Sequence, residues 1–277
     1  MLSRKITLRN QLTIGGGAPW VLIAGPCAIE SEKIAMKTAE FLKPLCVQLD
    51  IPLVFKSSFD KANRSSVYSP RGVGLKEGLR ILKKIKTDFD LPVTTDVHEP
   101  WQCEPVSEVA DILQIPAFLA RQTDLLIAAA HTGRPVNVKK AQFMAPTDMG
   151  NVQTKLHESG CDDVLFCERG TCFGYGTLVV DFTGFVEMKR FGCPVVFDAT
   201  HSVQKPGGHG TSSGGRREMV APLVAAAMAI GTDALFLETH PDPSTAISDA
   251  ENQIPLDQLR PLLESALRIS QAAGNWS

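Results

Sequence analysis

The sequence has no long apolar run and no regular cysteine framework. Its most apolar helical stretch, Val220 to Ile230, contains Pro222 and falls well short of the roughly 18 to 20 residues that span a bilayer. The N-terminus MLSRKITLRN is charged throughout and lacks a signal-peptide core. The seven cysteines of the chain form no CxxC pair, and that pattern is typical of a reduced intracellular protein. We therefore expect a cytoplasmic protein without a membrane segment.

An excess of either charge is also missing. The chain has 28 Lys and Arg against 30 Asp and Glu, for a net charge of −2. This balance excludes a broadly basic nucleic-acid binder, because such proteins bind by neutralising many phosphates. Hydrophobic residues at 44% and charged residues at 21% exclude disordered, collagen-like and coiled-coil chains. Any anion site must therefore be a local cluster of cations.

Short apolar, β-branched runs recur along the chain, and each is followed by a stretch of helical character. Continuous rather than alternating hydrophobicity is typical of strands buried on both faces of a parallel sheet. Eight strand–helix units in roughly 250 residues match a (β/α)8 barrel. We predict an α/β protein in which residues 1–277 form one (β/α)8 TIM-barrel domain. The predicted strands are VLIAG (21–25), PLVFK (52–56), PVTTD (92–96), DILQI (111–115), PVNVK (135–139), DVLFCE (163–168), PVVFD (194–198) and DALFLE (233–238).

Amphipathic segments predict helices between these strands. One apolar face runs from Ile34 to Leu45 and another from Leu75 to Ile85, each with spacings of three and four residues. Further helices are predicted over residues 122–132, 147–159, 216–230 and 256–273. Before the first barrel strand, KITL and QLTI flank Arg9-Asn10 and predict a short β-hairpin that closes the barrel floor.

Charged side chains end six of the eight predicted strands, and further polar residues follow them. In a barrel the active site is built at these carboxyl ends. A charge held there costs several kcal/mol unless it is paired or bound to a ligand, so their convergence indicates a polar active site. The strand-end residues are Lys56, Asp96, Lys139, Glu168, Asp198 and Glu238, and Cys27, His98, Arg169, His201 and His240 follow.

Cations near the same strand ends favour phosphate binding. The segment FKSSFDKANRSS combines Lys61 and Arg64 with four serines, and Arg121, Lys140 and Arg169 follow other strands. Arginine presents a planar fork to phosphate, and lysine supplies a point charge. The same segment could also be an ordinary surface turn. Placed among the other cations, it favours a site for more than one anionic group.

A metal site is a weaker prediction from the residues alone. Cys27, His201, Glu238 and Asp249 are too far apart for a short ligand motif, and only the barrel could assemble them. A lone cysteine is more often a small buried hydrophobe, and a lone histidine is more often hydrogen-bonded. A mixed thiolate, imidazole and carboxylate set would suit a divalent transition metal. The glycine-rich run 205–215 predicts a loop that closes over substrate.

Eight motifs at the strand ends and in the loops after them are distinctive when taken together. They are IAGPCAIES (23–31), FKSSFDKANRSS (55–66), TTDVHEP (94–100), QIPAFLARQTDLL (114–126), VNVKKAQF (136–143), ERGTCFGYG (168–176), FDATHSVQKPGG (197–208) and LETHPDP (237–243). These motifs closely resemble those of the 3-deoxy-D-manno-octulosonate 8-phosphate synthase family, from about residue 4 to about residue 265 and in the order typical of that family. Related 3-deoxy-heptulosonate synthases carry a KPRT-like phosphate motif where this chain has KANRSS.

The resemblance implies a homotetrameric barrel that joins phosphoenolpyruvate to arabinose 5-phosphate on the route to the Kdo sugar of lipopolysaccharide. It implies that Lys61, Lys139 and Arg169 bind phosphoenolpyruvate, with Lys56, Ser58 and Gln114 nearby. It assigns Asn63, Arg64 and Ser65 to arabinose 5-phosphate, helped by Arg121 from a neighbouring subunit. Asp96 and His98 would line the sugar channel.

The residue in the GPC position divides the family into metal-dependent members with Cys and metal-independent members with Asn. Cys27 therefore implies a metal-dependent enzyme, with one divalent Mn, Fe, Zn, Co or Cd ion per subunit. Cys27, His201, Glu238 and Asp249 would be its ligands. Cys27, His201 and Asp249 are also predicted to be catalytic, together with Lys61.

Two alternatives remain open at this point. One is a 3-deoxy-heptulosonate 7-phosphate synthase that uses erythrose 4-phosphate, against which KANRSS argues. The other is a barrel that binds sugar phosphates without catalysis. The sequence departs from the family pattern at residues 67–70, which read VYSP, and at Gly176-Thr177.

Overall fold

Eight parallel strands close into a barrel in the computed structural model of the chain, which describes residues 2–173, 175–176, 178–208 and 214–274. Around the barrel, β3 pairs with β4, and the pairing continues in chain order through β5, β6, β7, β8, β11 and β14, which returns to β3. The strands are β1 (Ile6–Thr7), β2 (Thr13–Ile14), β3 (Val21–Gly25), β4 (Leu53–Lys56), β5 (Val93–Asp96), β6 (Ile112–Ile115), β7 (Val136–Lys139), β8 (Val164–Glu168), β9 (Thr171–Cys172), β10 (Leu178–Val179), β11 (Val195–Asp198), β12 (Gln204–Lys205), β13 (Gly214–Gly215), β14 (Ala234–His240) and β15 (Ile254–Pro255).

The barrel strands confirm the sequence prediction closely. Seven of them lie within the predicted bounds, and β14 continues two residues further than predicted, to His240. Several predicted runs began with proline, and the strands begin after it, because proline has no N–H to donate to the ladder. The extension of β14 is paired in parallel with β15, which was not predicted.

The helices predicted between the strands are present, with later starts where a 3-10 turn comes first. Helices over residues 103–107, 183–189 and 199–202 were not predicted. Val220 begins the helix that was predicted from residue 216, and Leu259 begins the one predicted from residue 256. Across the described residues, every helix is too short or too polar to span a lipid bilayer. The helices are α1 (Glu32–Leu49), α2 (Leu75–Asp88), α3 (Cys103–Ser107), α4 (Thr123–His131), α5 (Met149–Glu158), α6 (Thr183–Lys189), α7 (Ala199–Ser202), α8 (Val220–Ile230) and α9 (Leu259–Ala273).

The N-terminal hairpin closes the barrel floor, as predicted. Ile6 and Ile14 face each other across β1 and β2 and are fully buried. They belong to the same apolar cluster as the inward-facing Ile23 and Val54. The hairpin therefore fills the amino-terminal end of the barrel and leaves the opposite end for polar groups.

Short antiparallel pairs that were not predicted extend the carboxyl end of the barrel. β9 pairs with β10 after β8, and β12 pairs with β13 after β11. The second pair forms the base of the glycine-rich run predicted to close over substrate. Residues 209–213 of that run lie outside the described residues, and so does Thr177, one of the positions at which the sequence departs from the family pattern.

Candidate active site

Strand register explains which strand-end charges meet inside the barrel. Side chains alternate between the two faces of a strand, so the inward position of Val54 places Lys56 inward as well. Asp96, Lys139, Asp198 and Glu238 reach the same mouth, where ion pairs or hydrogen bonds join them to one another or to neighbouring site residues. Five of the six predicted strand-end charges therefore converge.

Glu168 is the exception, and the prediction that it faces the mouth is wrong. In β8 the inward residues are Leu165 and Cys167, so Glu168 points outward. There it lies 3.5 Å from Nζ of Lys140, with both side chains almost fully buried. It also accepts hydrogen bonds from the backbone N–H groups of Arg169 and Gly170. This pair therefore shapes the turn that carries Arg169.

The barrel brings three of the four predicted metal ligands into one group and places His201 beside two of them. Ligand atoms of Cys27, Glu238 and Asp249 all lie within 4.8 Å of one another. Cys27 Sγ is 3.1 Å from Oδ2 of Asp249. Nε2 of His201 is 3.5 Å from Oε2 of Glu238 and 3.9 Å from Oδ2 of Asp249. Residues as far apart in sequence as 27 and 249 therefore form one cluster.

This cluster fits a divalent transition metal. Oε2 of Glu238 is buried and has no hydrogen-bond partner among the described residues, although a buried carboxylate oxygen needs one. One thiol, one imidazole and two carboxylates are donors of the kind that manganese, iron, zinc or cadmium accepts. Asp198 Oδ2 lies 2.7 Å from Nδ1 of His201 and leaves Nε2 facing the cluster.

Burial and neighbouring charges shift the pKa values of Cys27 and Glu238 in opposite directions. Burial, together with the nearby Glu238, raises the pKa of the Cys27 thiol well above its usual value. Burial would also raise the pKa of Glu238, but His201 and Lys56 outweigh it and hold that pKa well below the usual range. The carboxylate is therefore ionised beside a thiol that keeps its proton until a cation displaces it.

Two lysines bracket Glu238. Nζ of Lys56 lies 2.6 Å from Oε1 of Glu238 and 3.0 Å from the carbonyl oxygen of Cys27, and the side chain is fully buried. Nζ of Lys61 is 3.1 Å from Ser58 Oγ and 3.8 Å from the same Glu238 oxygen. Burial would lower the pKa of Lys61, but Cys27 and Glu238 raise it well above the usual value. Lys61 is therefore charged.

Phe236 forms an aromatic surface beneath the lysines, which the sequence analysis missed. Its ring centroid lies 3.9 Å from Nζ of Lys139 and 5.3 Å from Nζ of Lys56. Such cation–π contacts stabilise ammonium groups removed from water. The available signal was register, because Phe236 precedes Glu238 by two residues and shares its face. Lys139 also pairs with Asp198.

Asp96 is the centre of a hydrogen-bond chain across three strands. Ser58 Oγ donates to one of its oxygens, and Gln114 Nε2 donates to the other at 2.6 Å. Gln114 in turn accepts from Asn137 Nδ2 at 3.0 Å, and Asn137 was not predicted. Burial would raise the pKa of Asp96, but Lys56 and the other lysines nearby hold it well below its usual range. This chain orients three predicted substrate-binding residues.

His98 lies beside this network, against the ring of Phe59 at a centroid distance of 5.7 Å. Burial lowers the pKa of its imidazole below the usual value, so the ring is neutral near pH 7. Its Nδ1 is buried and has no hydrogen-bond partner among the described residues. A neutral imidazole with an unused ring nitrogen at this position suits contact with a sugar hydroxyl.

The arginines differ in how close they come to the mouth. Arg169 is almost fully buried, its Nη2 donates to Gln204 at 2.8 Å, and its Nη1 has no partner among the described residues. Arg64 donates to Ser248 Oγ at 2.9 Å and to the carbonyl oxygen of Ile247 at 2.8 Å. Arg121 is exposed on the outside of this chain. Asn63 and Ser65 are exposed on either side of Arg64.

Gln204 and Ser248 are two further polar residues that the sequence analysis missed. Gln204 Nε2 donates to Oδ1 of Asp249 at 2.6 Å, and Ser248 Oγ lies 3.3 Å from Oδ2 of the same residue. Neither ends a strand nor carries charge, so neither produced the signal that the charged residues did. Their partners become visible only when the loops are folded together.

Known proteins similar to this chain identify its family. The DAHP synthetase I family matches residues 3–272. The chain is 55% identical over 267 residues to the 2-dehydro-3-deoxyphosphooctonate aldolase of Fusobacterium nucleatum subsp. nucleatum, with 96% of each chain covered. Proteins of the same name from Synechococcus sp. and Cyanothece sp. are 57% and 54% identical over 263 and 268 residues. These matches cover 95% and 97% of this chain and 93% and 98% of the relatives.

These relatives confirm the resemblance found in the motifs. 2-Dehydro-3-deoxyphosphooctonate and 3-deoxy-D-manno-octulosonate 8-phosphate name the same phosphorylated eight-carbon oxo acid. The place of this chain among the metal-dependent members stays a prediction that rests on Cys27 and its neighbours. The chain belongs to the DAHP synthetase I family, in which it groups with the 2-dehydro-3-deoxyphosphooctonate aldolases.

Proposed function

We propose that this chain condenses phosphoenolpyruvate with D-arabinose 5-phosphate and water to give 3-deoxy-D-manno-octulosonate 8-phosphate and inorganic phosphate. C3 of phosphoenolpyruvate bonds to the aldehyde carbon, while the oxygen of water bonds to C2. The C2–O bond to phosphate then breaks. Of the two water protons, one ends on the former aldehyde oxygen and the other on the departing phosphate. The product serves Kdo and lipopolysaccharide synthesis.

The observation that carries this proposal is the buried cation set at the barrel mouth. Arg169, Lys139 and Lys61 are withdrawn from solvent, and Nη1 of Arg169 has no partner among the described residues. A buried guanidinium N–H without a partner is costly, and an anionic ligand removes that cost. Phosphoenolpyruvate carries a phosphate and a carboxylate, which such a set of cations would bind and orient.

The sugar phosphate is proposed to lie on the side of Asp96 and Arg64. Ser58 and Gln114 orient the Asp96 carboxylate, and the imidazole of His98 has an unused nitrogen at the same wall. Asn63, Arg64 and Ser65 supply donors for the phosphate. In this arrangement Arg64 exchanges its contacts with Ser248 and Ile247 for the phosphate oxygens, which bind a guanidinium more strongly.

Cys27, His201, Glu238 and Asp249 are the proposed ligands of one divalent transition metal. When bound, the metal supplies Lewis-acid polarisation and orientation near the aldehyde and the attacking water. The residues around the ligands have their own tasks. Lys56 compensates the charge of Glu238, Lys61 and Lys139 stabilise negative charge that develops on the reacting oxygens, and Asp198 fixes the His201 ring.

The decisive experiment measures phosphate release from phosphoenolpyruvate plus arabinose 5-phosphate with purified protein, before and after chelation. We expect activity that is lost on chelation and restored by Mn²⁺ or Cd²⁺. Activity that persists after complete metal removal would support the synthase reaction and refute the metal requirement. No release under any condition would refute the reaction. A faster reaction with erythrose 4-phosphate would instead identify the shorter-sugar synthase.

We further propose that the enzyme is a cytoplasmic homotetramer in which Arg121 of each chain completes a neighbouring site. The seven cysteines of the sequence form no CxxC pair, a pattern typical of a reducing compartment, and the exposed Arg121 is available to a second chain. Sedimentation equilibrium should give four times the chain mass of 30.0 kDa. Arg121→Ala should weaken arabinose 5-phosphate binding while tetramers persist, and a fully active monomer would contradict this assembly.

A further inference from the structure

Gln204 joins two functional groups through the two ends of one amide. It lies three residues after His201, at the start of β12, and is partly buried. Its Oε1 accepts a hydrogen bond from Nη2 of Arg169 at 2.8 Å. Its Nε2 donates to Oδ1 of Asp249 at 2.6 Å. A residue without charge therefore connects the anion-binding arginine to a member of the ligand cluster.

The contact with Asp249 decides which carboxylate oxygen faces the cluster. Asp249 has a φ of 50°, a left-handed conformation that is uncommon for a residue with a side chain. Because Gln204 occupies Oδ1, the other oxygen, Oδ2, faces Cys27 Sγ at 3.1 Å and His201 Nε2 at 3.9 Å. The amide thus selects one oxygen of Asp249 as the ligand atom.

The contact with Arg169 fixes the orientation of the guanidinium plane. Nη2 is held by Gln204, and Nη1 has no partner among the described residues. A planar fork held at one corner presents its remaining N–H groups in one direction. Gln204 therefore orders the anion-binding face of Arg169 while it orders Asp249.

We propose that Gln204 is a positioning residue that couples binding of the divalent metal at Asp249 to binding of phosphoenolpyruvate at Arg169. This inference rests on the proposed function. The amide is already hydrogen-bonded at both ends, and a ligand at either end further restricts its motion, so the second ligand binds to a site with less freedom left to lose. The coupling is positive. By thermodynamic linkage each ligand increases the affinity of the protein for the other by the same factor, typically about 5- to 150-fold.

The test compares two affinities, each measured with and without the other ligand. The Kd of Mn²⁺ for the metal-stripped protein is measured in the absence and presence of phosphoenolpyruvate, and the Kd of phosphoenolpyruvate without and with Mn²⁺. The variants are Gln204→Met, which keeps the side-chain length without hydrogen bonds, and Gln204→Glu, which keeps the acceptor for Arg169 and loses the donor for Asp249.

We expect the coupling factor to fall at least about 5-fold in both variants, toward the remainder that charge attraction between the ligands contributes. Gln153→Met is the matched control, because Gln153 bonds to the carbonyl oxygen of Phe191 at 3.0 Å, away from the mouth. The Gln153→Met variant should keep the wild-type coupling factor between Mn²⁺ and phosphoenolpyruvate. Gln204→Glu decides the question if Gln204→Met fails to fold.

Different results would refute the positioning role of Gln204 and the proposed synthase reaction. Wild-type coupling in the folded Gln204 variants, with both ligands bound, would overturn the positioning role and leave the synthase intact. A wild-type protein that binds neither Mn²⁺ nor phosphoenolpyruvate would overturn the proposed function and the coupling together. A change confined to thermal stability, with the coupling factor unchanged, would assign Gln204 a structural role only and refute the inference.

Discussion

Oδ2 of Asp198 lies 2.7 Å from Nδ1 of His201, three residues further along the chain. His201 and Lys139 outweigh the effect of burial and hold the pKa of Asp198 well below its usual range. The carboxylate is therefore ionised and can only accept, so Nδ1 carries the ring proton. Nε2 is the ring nitrogen that faces Glu238 at 3.5 Å and Asp249 at 3.9 Å. The strand-end aspartate thus acts on the metal cluster through the histidine ring.

Asp198→Asn should weaken Mn²⁺ binding by about 10- to 100-fold, the usual effect of removing the partner that orients a ligating histidine. The amide can donate to Nδ1 and so favours the tautomer whose Nε2 carries a proton. Competition with a fluorescent chelator measures the affinity. Asp242→Asn is the control, because that exposed side chain caps its own turn. Unchanged affinity in Asp198→Asn would contradict the assigned ring orientation.

Removing Lys56 should leave the buried charge of Glu238 with only the more distant Lys61, whose Nζ is 3.8 Å from Oε1, as its lysine partner. Both side chains of this pair are fully buried, and their closest atoms are 2.6 Å apart. We expect Lys56→Met to reduce the free energy of unfolding of the metal-stripped protein by about 3–5 kcal/mol. Urea denaturation measures the change. Lys56→Met combined with Glu238→Gln should recover part of the loss, because the double variant no longer buries the charge alone.

Lys84→Met provides a matched control for this experiment. Lys84 makes a 2.9 Å ion pair with Asp88 one helical turn away, and both side chains are about 40% exposed. Exposed pairs of this kind contribute little to stability, so the variant should unfold at nearly the wild-type urea concentration. An equal loss in the two methionine variants would refute the role assigned to burial.

The barrel was predictable because its signal is local and repeated. Each apolar run, such as residues 21–25, needs only its own composition to be recognised as a buried strand, and the count of eight gives the architecture. The hairpin carried a similar local signal in the two apolar segments that flank Arg9-Asn10. Helix starts were less accurate because 3-10 turns precede Val220 and Leu259 and share the amphipathic pattern.

The site was only partly predictable because two of its features depend on geometry. Strand register turns Glu168 away from the mouth, although its position at a strand end resembles that of Glu238. Gln204 and Ser248 reach Asp249 through loop folding, and neither carries a charge that would single it out. The charged residues were recognisable because a charge at the end of a buried strand is costly unless it is paired or bound to a ligand.

Cys27→Asn should abolish metal binding and retain part of the activity. The amide lacks the thiolate that binds a transition metal, and it can instead donate to Oδ2 of Asp249, which now lies 3.1 Å from the sulfur. Metal-independent members of the resembled family carry Asn at this position. Elemental analysis should give close to one metal per wild-type chain and almost none in the variant. The residual phosphate release should be indifferent to chelator.

Unchanged metal content in Cys27→Asn would contradict the assignment of Cys27 as a ligand. Complete inactivity in a folded variant would contradict the expectation that part of the activity is retained without the metal. Cys46→Asn is less suitable as a control because Cys46 lies on the buried face of α1, where a polar amide would destabilise the fold. Cys172→Ser is preferable, since that cysteine is exposed on β9. It should keep both the metal and full activity.

Acid should destabilise the metal-stripped protein through the carboxylates of the mouth. The pKa of Asp96 is held below its usual value because Lys56 and other lysines outweigh burial. A lowered folded pKa contributes stability that is present above the unfolded pKa of about 4 and is lost as pH falls toward the folded pKa. Asp96→Asn should reduce the pH slope of the unfolding free energy by up to about 1.4 kcal/mol per unit. Urea titrations between about pH 2 and pH 5 measure the slope, with the exposed Asp257→Asn as control. An unaltered slope in Asp96→Asn would refute the effect assigned to the lysines around Asp96.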